Sequence, residues 1–477
     1  LLLIFCFSGF ASGAPSGITL APNAKTVTVV SKNVADDCRA VRGFDGTPVD
    51  GSVRSWTYIG WIAEYPGLTI DYFDALTGVN YSYNKNDGVH ITLNDTTGFD
   101  AVVLRGGSKT RMYAGTLAID EPTGKQPLYT FPGDEAVAAV RLPQRQSTNQ
   151  VSFFGTTDGR ISDVSFYRVE QSDRLPARAE AYSPANDFPH ISIPRTPFAP
   201  ESIYYAMNDR YGEIDWIAHT LAPDNSSSVP KKLRARQSLQ CITEPFDQER
   251  GLAAVSFDLE VTGPKGDFTL TAVVQDPLDP RLDLMWVPFR CSGEGRYSFT
   301  LDIPDQVILK GSQIWATLIC DQAVMLSGPG NRGGPKVLLS FVEKNAALDE
   351  AVRHRMFLLK HFFQLLCEPR PWGGLRQDRT FQEFYAGSGY EKICPELFMT
   401  IDQCYELAPD NPLLRQYREW VYLRKLDKLS EIASPPSPPA GVPAWAWYPR
   451  LAWLETRRIA QWWIENRMTP NGEFGSR

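Results

Sequence analysis

Short runs of β-branched and aromatic residues, separated by turn signals, fill the chain from about residue 26 to residue 185. Apolar and polar residues alternate cleanly in the last of these runs, at 161–169, which predicts a half-buried strand. Turn signals at Thr97-Gly98, Gly106-Gly107 and Asp158-Gly159 separate the runs in the manner of a β-sandwich. We therefore predict an N-terminal β-sandwich or jelly-roll domain over residues 14–185.

A second block of alternating strands runs from Ala253 to Val342, and we predict a second β-sandwich over residues 241–343. The intervening residues 186–240 are rich in proline, serine and asparagine. Tyr204, Tyr205 and Trp216 are interspersed among them, so this linker is expected to pack on its neighbours.

At Asn345 the apolar period lengthens to three and four residues, which predicts helices. We expect Asn345 to cap the first helix, and Asp410 or Asn411 to cap the third. The second helix is expected from Pro395 to Pro409, and a fourth from Pro449 to about residue 467. Two helical hairpins leave apolar surface uncovered, so 344–477 is predicted to be an incomplete all-α hairpin domain that continues beyond Arg477.

The apolar run from Leu1 to Phe10 is followed by small residues up to Ala14, the pattern of a signal peptide over residues 1–13. The mature protein is therefore expected to be secreted, periplasmic or attached to the cell surface. No later stretch is apolar for long enough to predict a membrane span. The net charge of −7, without any lysine- and arginine-rich block, argues against a nucleic-acid partner.

The eight cysteines show no CxxC spacing, so they predict neither a zinc site nor a thioredoxin-like motif. For Cys291 with Cys320, and for Cys394 with Cys404, both a disulfide and buried free thiols remain open. His354 and His361 lie seven residues apart, but nothing nearby completes a metal site. We predict no metal site and leave any cofactor unknown.

Five of the twelve tryptophans lie between residues 445 and 463. Indole rings suit the apolar faces of sugars, and the alternative is ordinary packing between helices. Trp453 is expected in the core. Trp445 and Trp447 are expected in a proline-rich entry loop, where they could line a cleft for a glycan.

The C-terminal tail predicts a helix that ends at Asn466-Arg467, followed by a Pro470-Asn471-Gly472 turn and Glu473. A carboxylate on a glycine-flanked loop is well placed for general acid or base work or for holding a substrate hydroxyl. The alternative is a simple turn residue. Glu473 is thus the candidate catalytic residue, although no partner carboxylate is identified.

This layout, with β-sandwiches, helical hairpins and the tail from Trp462 to Gly475, resembles bacterial glycoside hydrolases and polysaccharide lyases with an (α/α) toroid. The resemblance implies that Trp462, Arg467 and Glu473 face the active cleft, and Asn466 joins this candidate binding set. It also implies that further hairpins and a catalytic pair lie outside this chain. The first sandwich resembles a carbohydrate-binding module, and a purely structural domain is the alternative.

Two functions follow from these observations. The first is the N-terminal part of a secreted polysaccharide-degrading enzyme, a glycoside hydrolase or polysaccharide lyase, whose partner is a polysaccharide. The alternative is a non-catalytic secreted or cell-surface protein that binds glycans or proteins through a helical scaffold. Paired Asp or Glu residues on later loops would favour the enzyme, and short regular repeats would favour the scaffold.

Overall fold

A computed structural model describes much of the chain and most continuously the part from residue 228 to residue 367. The described ranges are 17–31, 38–41, 81–83, 89–93, 97–105, 115–121, 124–131, 137–147, 150–155, 159–161, 163–172, 179–187, 203–204, 207–208, 214–223, 228–367, 393–412, 414–415, 417–418 and 436–467.

The described structure is mostly β. Its strands are β1 Ile18–Leu20, β2 Thr26–Ser31, β3 Cys38–Val41, β4 Tyr81–Tyr83, β5 Val89–Leu93, β6 Phe99–Arg105, β7 Gly115–Glu121, β8 Gly124–Phe131, β9 Val137–Gln146, β10 Gln150–Gly155, β11 Gly159–Ile161, β12 Asp163–Ser172, β13 Ala179–Asp187, β14 Asp215–Pro223, β15 Lys231–Leu233, β16 Gln237–Thr243, β17 Arg250–Thr262, β18 Asp267–Asp276, β19 Asp279–Ser292, β20 Gly295–Ile308, β21 Trp315–Cys320, β22 Val324–Ser327 and β23 Lys336–Val342.

Within the described ranges, 16 strands form one mixed sheet. Its main order is β1-β19-β18-β21-β16-β14-β13-β23-β17-β20-β2-β12-β6-β9. Outside this order, β22 pairs with β17, and β15 pairs with β22. A second sheet has the order β3-β5-β10-β7-β8, and β4 pairs with β11. The pairs β1–β19, β2–β20 and β14–β16 are parallel, which makes the large sheet mixed.

The large sheet folds back on itself and so forms two layers. Strands β19 and β20 are far apart in the strand order, yet the rings of Phe289 and Phe299 lie 4.6 Å apart. Phe268 of β18 likewise meets Tyr297 of β20 edge-on at 6.0 Å. Strands β18 and β19 thus belong to one arm of the folded sheet and β20 to the other. Because side chains of the two arms are in contact, the hydrophobic core lies between the arms.

Strands from both predicted β blocks share this sheet. Val27 of β2 lies beside Phe299 of β20, and Ala179 of β13 lies beside Ser340 of β23. Strand β14 lies within the segment expected to be a linker, and strand β16 begins in it. The two strands pair with each other in the same sheet. The division into the domains 1–13, 14–185, 186–240, 241–343 and 344–477 stays a prediction. Pairing between residues so distant in the chain leaves no mark on a local hydrophobic period.

In the part of the chain that the structure describes, three long helices follow the strands: α1 Lys344–Cys367, α2 Ile393–Leu407 and α3 Ala444–Arg467. Helix α1 packs on β17, β20 and α2. At Gly251 of β17, an added Cβ would lie 2.6 Å from Val342 Cγ2 and 3.0 Å from Ala347 Cβ. Glycine at this position therefore lets the start of α1 approach the sheet closely. Closure of these helices into a toroid is not part of the described structure.

The helix boundaries test several of the predicted caps. Asn411 caps the start of the third predicted helix as expected, because its Oδ1 accepts a hydrogen bond from the Leu414 amide at 3.1 Å. Of that predicted helix, the structure describes residues 412, 414–415 and 417–418 as helical. Asn345 does not cap the first helix, since α1 already begins at Lys344. The fourth predicted helix is α3, which begins at Ala444 and not at Pro449. Pro449 lies inside this helix. A proline in the second turn removes only one donor, and the helix continues through it.

The described structure excludes a disulfide for both of the predicted cysteine pairs. Cys291 and Cys320 are both free and buried. Cys291 on β19 lies opposite Phe268 of β18, and Cys320 on β21 lies opposite Leu270 on the other edge of β18. Two strand spacings separate the cysteine Cα atoms by roughly 10 Å or more, too far for a disulfide. Cys404 is also free and buried, so the structure contains no Cys394–Cys404 bridge.

Candidate functional site

The aromatic helix α3 starts immediately after the proline-rich tract. The carbonyl of Pro443 accepts hydrogen bonds from the amides of Ala446 and Trp447, at 3.0 and 3.1 Å. The Trp447 indole Nε1 donates to the carbonyl of Pro436 at 2.8 Å and ties the tract to the helix. Trp445 and Trp447 therefore lie in the first turn of α3 and not in an entry loop, which corrects the sequence prediction.

Helix α3 is exposed along much of its length. The side chains of Trp445 and Trp453 are 78% and 68% exposed. Every residue from Ala452 to Gln461 is exposed, including Ile459. The prediction that Trp453 lies in the core is wrong. Its place in the helical apolar period predicts a buried side chain, but none of the described elements covers it.

Of the tryptophans whose side chains are described, the two most exposed share one half of the helix surface. At about 100° per residue, Trp445 and Trp453 are about 80° apart around the axis and about 12 Å apart along it. Trp447 is two positions from Trp445, so it projects about 200° away. Trp447 is half-buried and its nitrogen is already hydrogen-bonded. The predicted pair Trp445 and Trp447 therefore does not form one binding face, whereas Trp445 and Trp453 are placed to do so.

The remaining predicted site residues are not described as side chains. Trp462, Asn466 and Arg467 belong to α3, but their side chains lie outside the described part of the structure. Glu473 lies outside the described residues altogether. Their proposed roles in a cleft stay predictions.

A second feature, which the sequence analysis missed, is a buried polar cluster formed by Asp276, His354, Arg355 and Gln403 where the helices meet the sandwich. Arg355 of α1 forms an ion pair with Asp276 of β18, and both side chains are fully buried. Arg355 Nη1 also donates to Gln403 Oε1 of α2 at 3.1 Å, and Gln403 Nε2 donates to the Leu278 carbonyl at 2.7 Å. The cluster thus links α1, α2 and the β18–β19 turn.

Further bonds hold the turn in place beside the buried polar cluster. Asp276 Oδ1 accepts from the Leu278 amide at 2.8 Å, which closes the turn locally. Asp279 receives two bonds from the Arg281 guanidinium, each 2.9 Å long, and both side chains are buried. Burial of so many charged groups is tolerated because each has a partner of opposite charge or a hydrogen bond.

Burial shifts the protonation of the cluster. Removal from water raises the pKa of Asp276, and the Arg355 charge opposes that rise. Burial lowers the pKa of His354 well below its usual value of 6.5, and the positive charge of Arg355 lowers it further. His354 Nδ1 lies 3.8 Å from Asp276 Oδ2. At neutral pH the histidine is therefore neutral.

The arrangement is suited to holding elements together and not to binding substrate in this conformation, because Asp276 and Arg355 are inaccessible to solvent. The sequence does contain a sign of the buried polar cluster. His354 and Arg355 interrupt the apolar positions in the middle of α1, where a helix that packs on a sheet would otherwise be apolar.

We expect the unfolding free energy to fall as the pH is lowered below 6.5, because His354 takes up a proton more readily in the unfolded chain. With a folded pKa well below that value, the loss between pH 7.5 and pH 5.5 is about 1.4 kcal/mol from this residue. Asp276 acts in the opposite sense, since its raised pKa favours protonation in the folded state. Urea titrations across this range test the expectation. A His354→Gln variant should lose this component, and an unchanged pH slope would contradict it.

Within the described ranges, no group of three or more His, Cys, Asp or Glu residues is placed to hold a metal ion. The described helices include none that combines the length and the apolar character needed to cross a membrane.

No protein-family model matches the chain, and no curated protein matches it significantly. A CocE/NonD family hydrolase from Staphylococcus aureus is 11% identical, with a TM-score of 0.23 over 37% of this chain and 39% of the hydrolase. A truncated protein with CBM32 and alginate lyase domains is 8% identical, with a TM-score of 0.20 over 67% of this chain and 100% of its own.

A chitosan-binding module from a Paenibacillus sp. IK-5 chitosanase/glucanase is 16% identical. Its TM-score is 0.17 over 32% of this chain and 98% of the module. TM-scores this low assign neither a family nor an activity. The chain also spans well under half of the hydrolase, so the activity of that protein is not transferred to it.

Proposed function

We propose that this chain is the glycan-binding part of a secreted polysaccharide-degrading protein. The observation that supports the proposal is the exposure of Trp445 and Trp453 on one half of helix α3. A flat indole that remains in water offers an apolar surface of the size and shape of a sugar ring face. Two such rings about 12 Å apart along the helix could contact one extended oligosaccharide.

The enzymatic part of the proposal rests on the sequence. The apolar run before Ala14 supports export, and the change to helical hairpins after residue 344 supports an (α/α) toroid. Glycoside hydrolysis and elimination are both compatible with this reading. Glu473, together with Trp462, Asn466 and Arg467, is proposed to lie at the cleft of that domain.

Exposed aliphatic side chains on the same helix support the alternative, a non-catalytic binding protein with a helical scaffold. Leu454, Ile459 and Ile464 are 44%, 55% and 45% exposed. Apolar side chains grouped on one helix are typical of protein interaction sites. Binding to glycans or to a protein therefore distinguishes the two proposals.

Trp445→Ala and Trp453→Ala are each expected to weaken glycan binding by about tenfold, since losing the burial of one large aromatic side chain costs at least ~1.5 kcal/mol. The measurement is retention of the full chain by affinity gels that contain acidic or neutral polysaccharides. Leu454→Ala, which projects about 180° from Trp445, is the matched control and should bind like the parent chain. Identical retention of all four proteins by every polysaccharide would contradict a role for these tryptophans.

A further inference from the structure

Helix α3 is positively charged although the whole protein is negative. The charged side chains described on it are Arg450, Glu455, Arg457 and Arg458, three positive and one negative, so their sum is +2 against −7 for the chain. Arg458 is paired with Glu455 at 2.8 Å. Arg450 and Arg457 are exposed and form no ion pair with any described residue. Among the described side chains of α3, the uncompensated charge therefore comes from these two arginines.

The two uncompensated arginines flank an exposed tryptophan. Arg450, Trp453 and Arg457 occupy positions i, i+3 and i+7 of the helix, which place all three within an arc of about 60°. Along the axis, Arg450 is about 4.5 Å before Trp453 and Arg457 is about 6 Å after it. One indole thus stands between two guanidinium groups on the same helix face.

We propose that this face binds polysaccharides whose sugars carry carboxylate groups, namely polyuronates. The inference rests on the proposed glycan-binding function and names its substrate class. The indole of Trp453 covers the apolar face of one ring, and Arg450 and Arg457 each offer a fork of N–H donors to carboxylates on neighbouring rings. Arginine suits this role because its planar guanidinium can bind a carboxylate through two parallel hydrogen bonds.

The positions of the charges favour a glycan over a membrane surface. In helices that lie in a membrane interface, arginine and lysine occupy the face opposite the aromatic residues. Here Arg450 and Arg457 lie beside Trp453 and would be driven into the lipid with it. A partner helix is also disfavoured, because packing a helix against this face would bury two unpaired guanidinium groups between the two helices.

The test measures binding of the full chain to polygalacturonate and to alginate, each compared with the same polymer after esterification of its carboxyl groups. The parent chain is expected to bind the acidic forms at least tenfold more tightly, with affinity that falls at high salt. The double variant R450Q/R457Q should lose about tenfold in affinity for the acidic forms and should bind the esters as the parent does. R458Q, which removes an arginine already paired with Glu455, is the matched control and should change little.

Each other outcome counts against a specific step. Equal binding of acidic and esterified polymers that Trp453→Ala abolishes would overturn the polyuronate inference and leave glycan binding intact. Absence of binding to every polysaccharide would overturn the proposed function as well. Vesicles containing phosphatidylserine and a single-stranded oligonucleotide serve as other polyanions. Tighter binding to either one, lost in Trp453→Ala, would replace the glycan with that partner.

Discussion

Replacing Arg355 with methionine is expected to lower the free energy of unfolding by about 3–5 kcal/mol. Arg355 is fully buried and pairs with the fully buried Asp276. Its removal leaves a carboxylate that has no access to water and no opposite charge, and it also removes a donor to Gln403. The loss follows from the uncompensated charge left behind and not from the favourable energy of the pair itself.

Urea denaturation of the parent chain, the single variants and the double variant measures this effect. The double variant D276N/R355M is expected to be more stable than R355M alone, because it buries no charge, and the double-mutant cycle gives the coupling between the two residues. Arg458→Met removes one partner of an exposed pair and should cost less than about 1 kcal/mol. A loss of similar size for Arg355→Met would contradict the role assigned to the buried polar cluster.

Phe299→Ala is expected to cost about 3–5 kcal/mol, because it leaves a cavity where the two arms of the folded sheet meet. The Phe299 ring is fully buried and lies 4.6 Å from Phe289 and 5.1 Å from Phe257. Phe289 belongs to the opposite arm, so the substitution removes a contact between layers as well as one within a layer.

Thermal and urea unfolding of the same variants tests this second expectation. Val229→Ala is a suitable control, since Val229 is 57% exposed, and it should change stability by less than about 0.5 kcal/mol. If Phe299→Ala unfolded only a part of the protein while the β18–β19 arm stayed protected from hydrogen exchange, the two layers would not share one core.

Several elements follow from local pattern alone. The predicted strand at 161–169 corresponds largely to Asp163–Ser172, and the second predicted β block, from Ala253, begins within Arg250–Thr262. Their side chains alternate or are β-branched, and the strand period is visible without knowledge of the partner. The Asn411 cap was predictable for the same reason, because a cap is a contact between residues three positions apart.

The local pattern does not predict strand β19, Asp279–Ser292, because its sequence does not resemble that of a strand. It carries Pro280, Pro288 and three charged residues that the fold buries, Asp279, Arg281 and Asp283. Such residues normally mark exposed turns, since burial of a charge is unfavourable without a partner. Here Arg281 binds Asp279 through two hydrogen bonds. The pairing that makes burial possible is a property of the folded chain.

The sequence by itself determined the succession of β and helical segments, the aromatic character of residues 445–463 and the negative net charge. Only the tertiary structure decided that both β blocks share one sheet, that Arg355 is buried against Asp276, and that Trp453 is exposed. The physical reason is that a hydrophobic period identifies the apolar side of an element. Whether another element covers that side depends on contacts between residues far apart in the chain, which the period does not record.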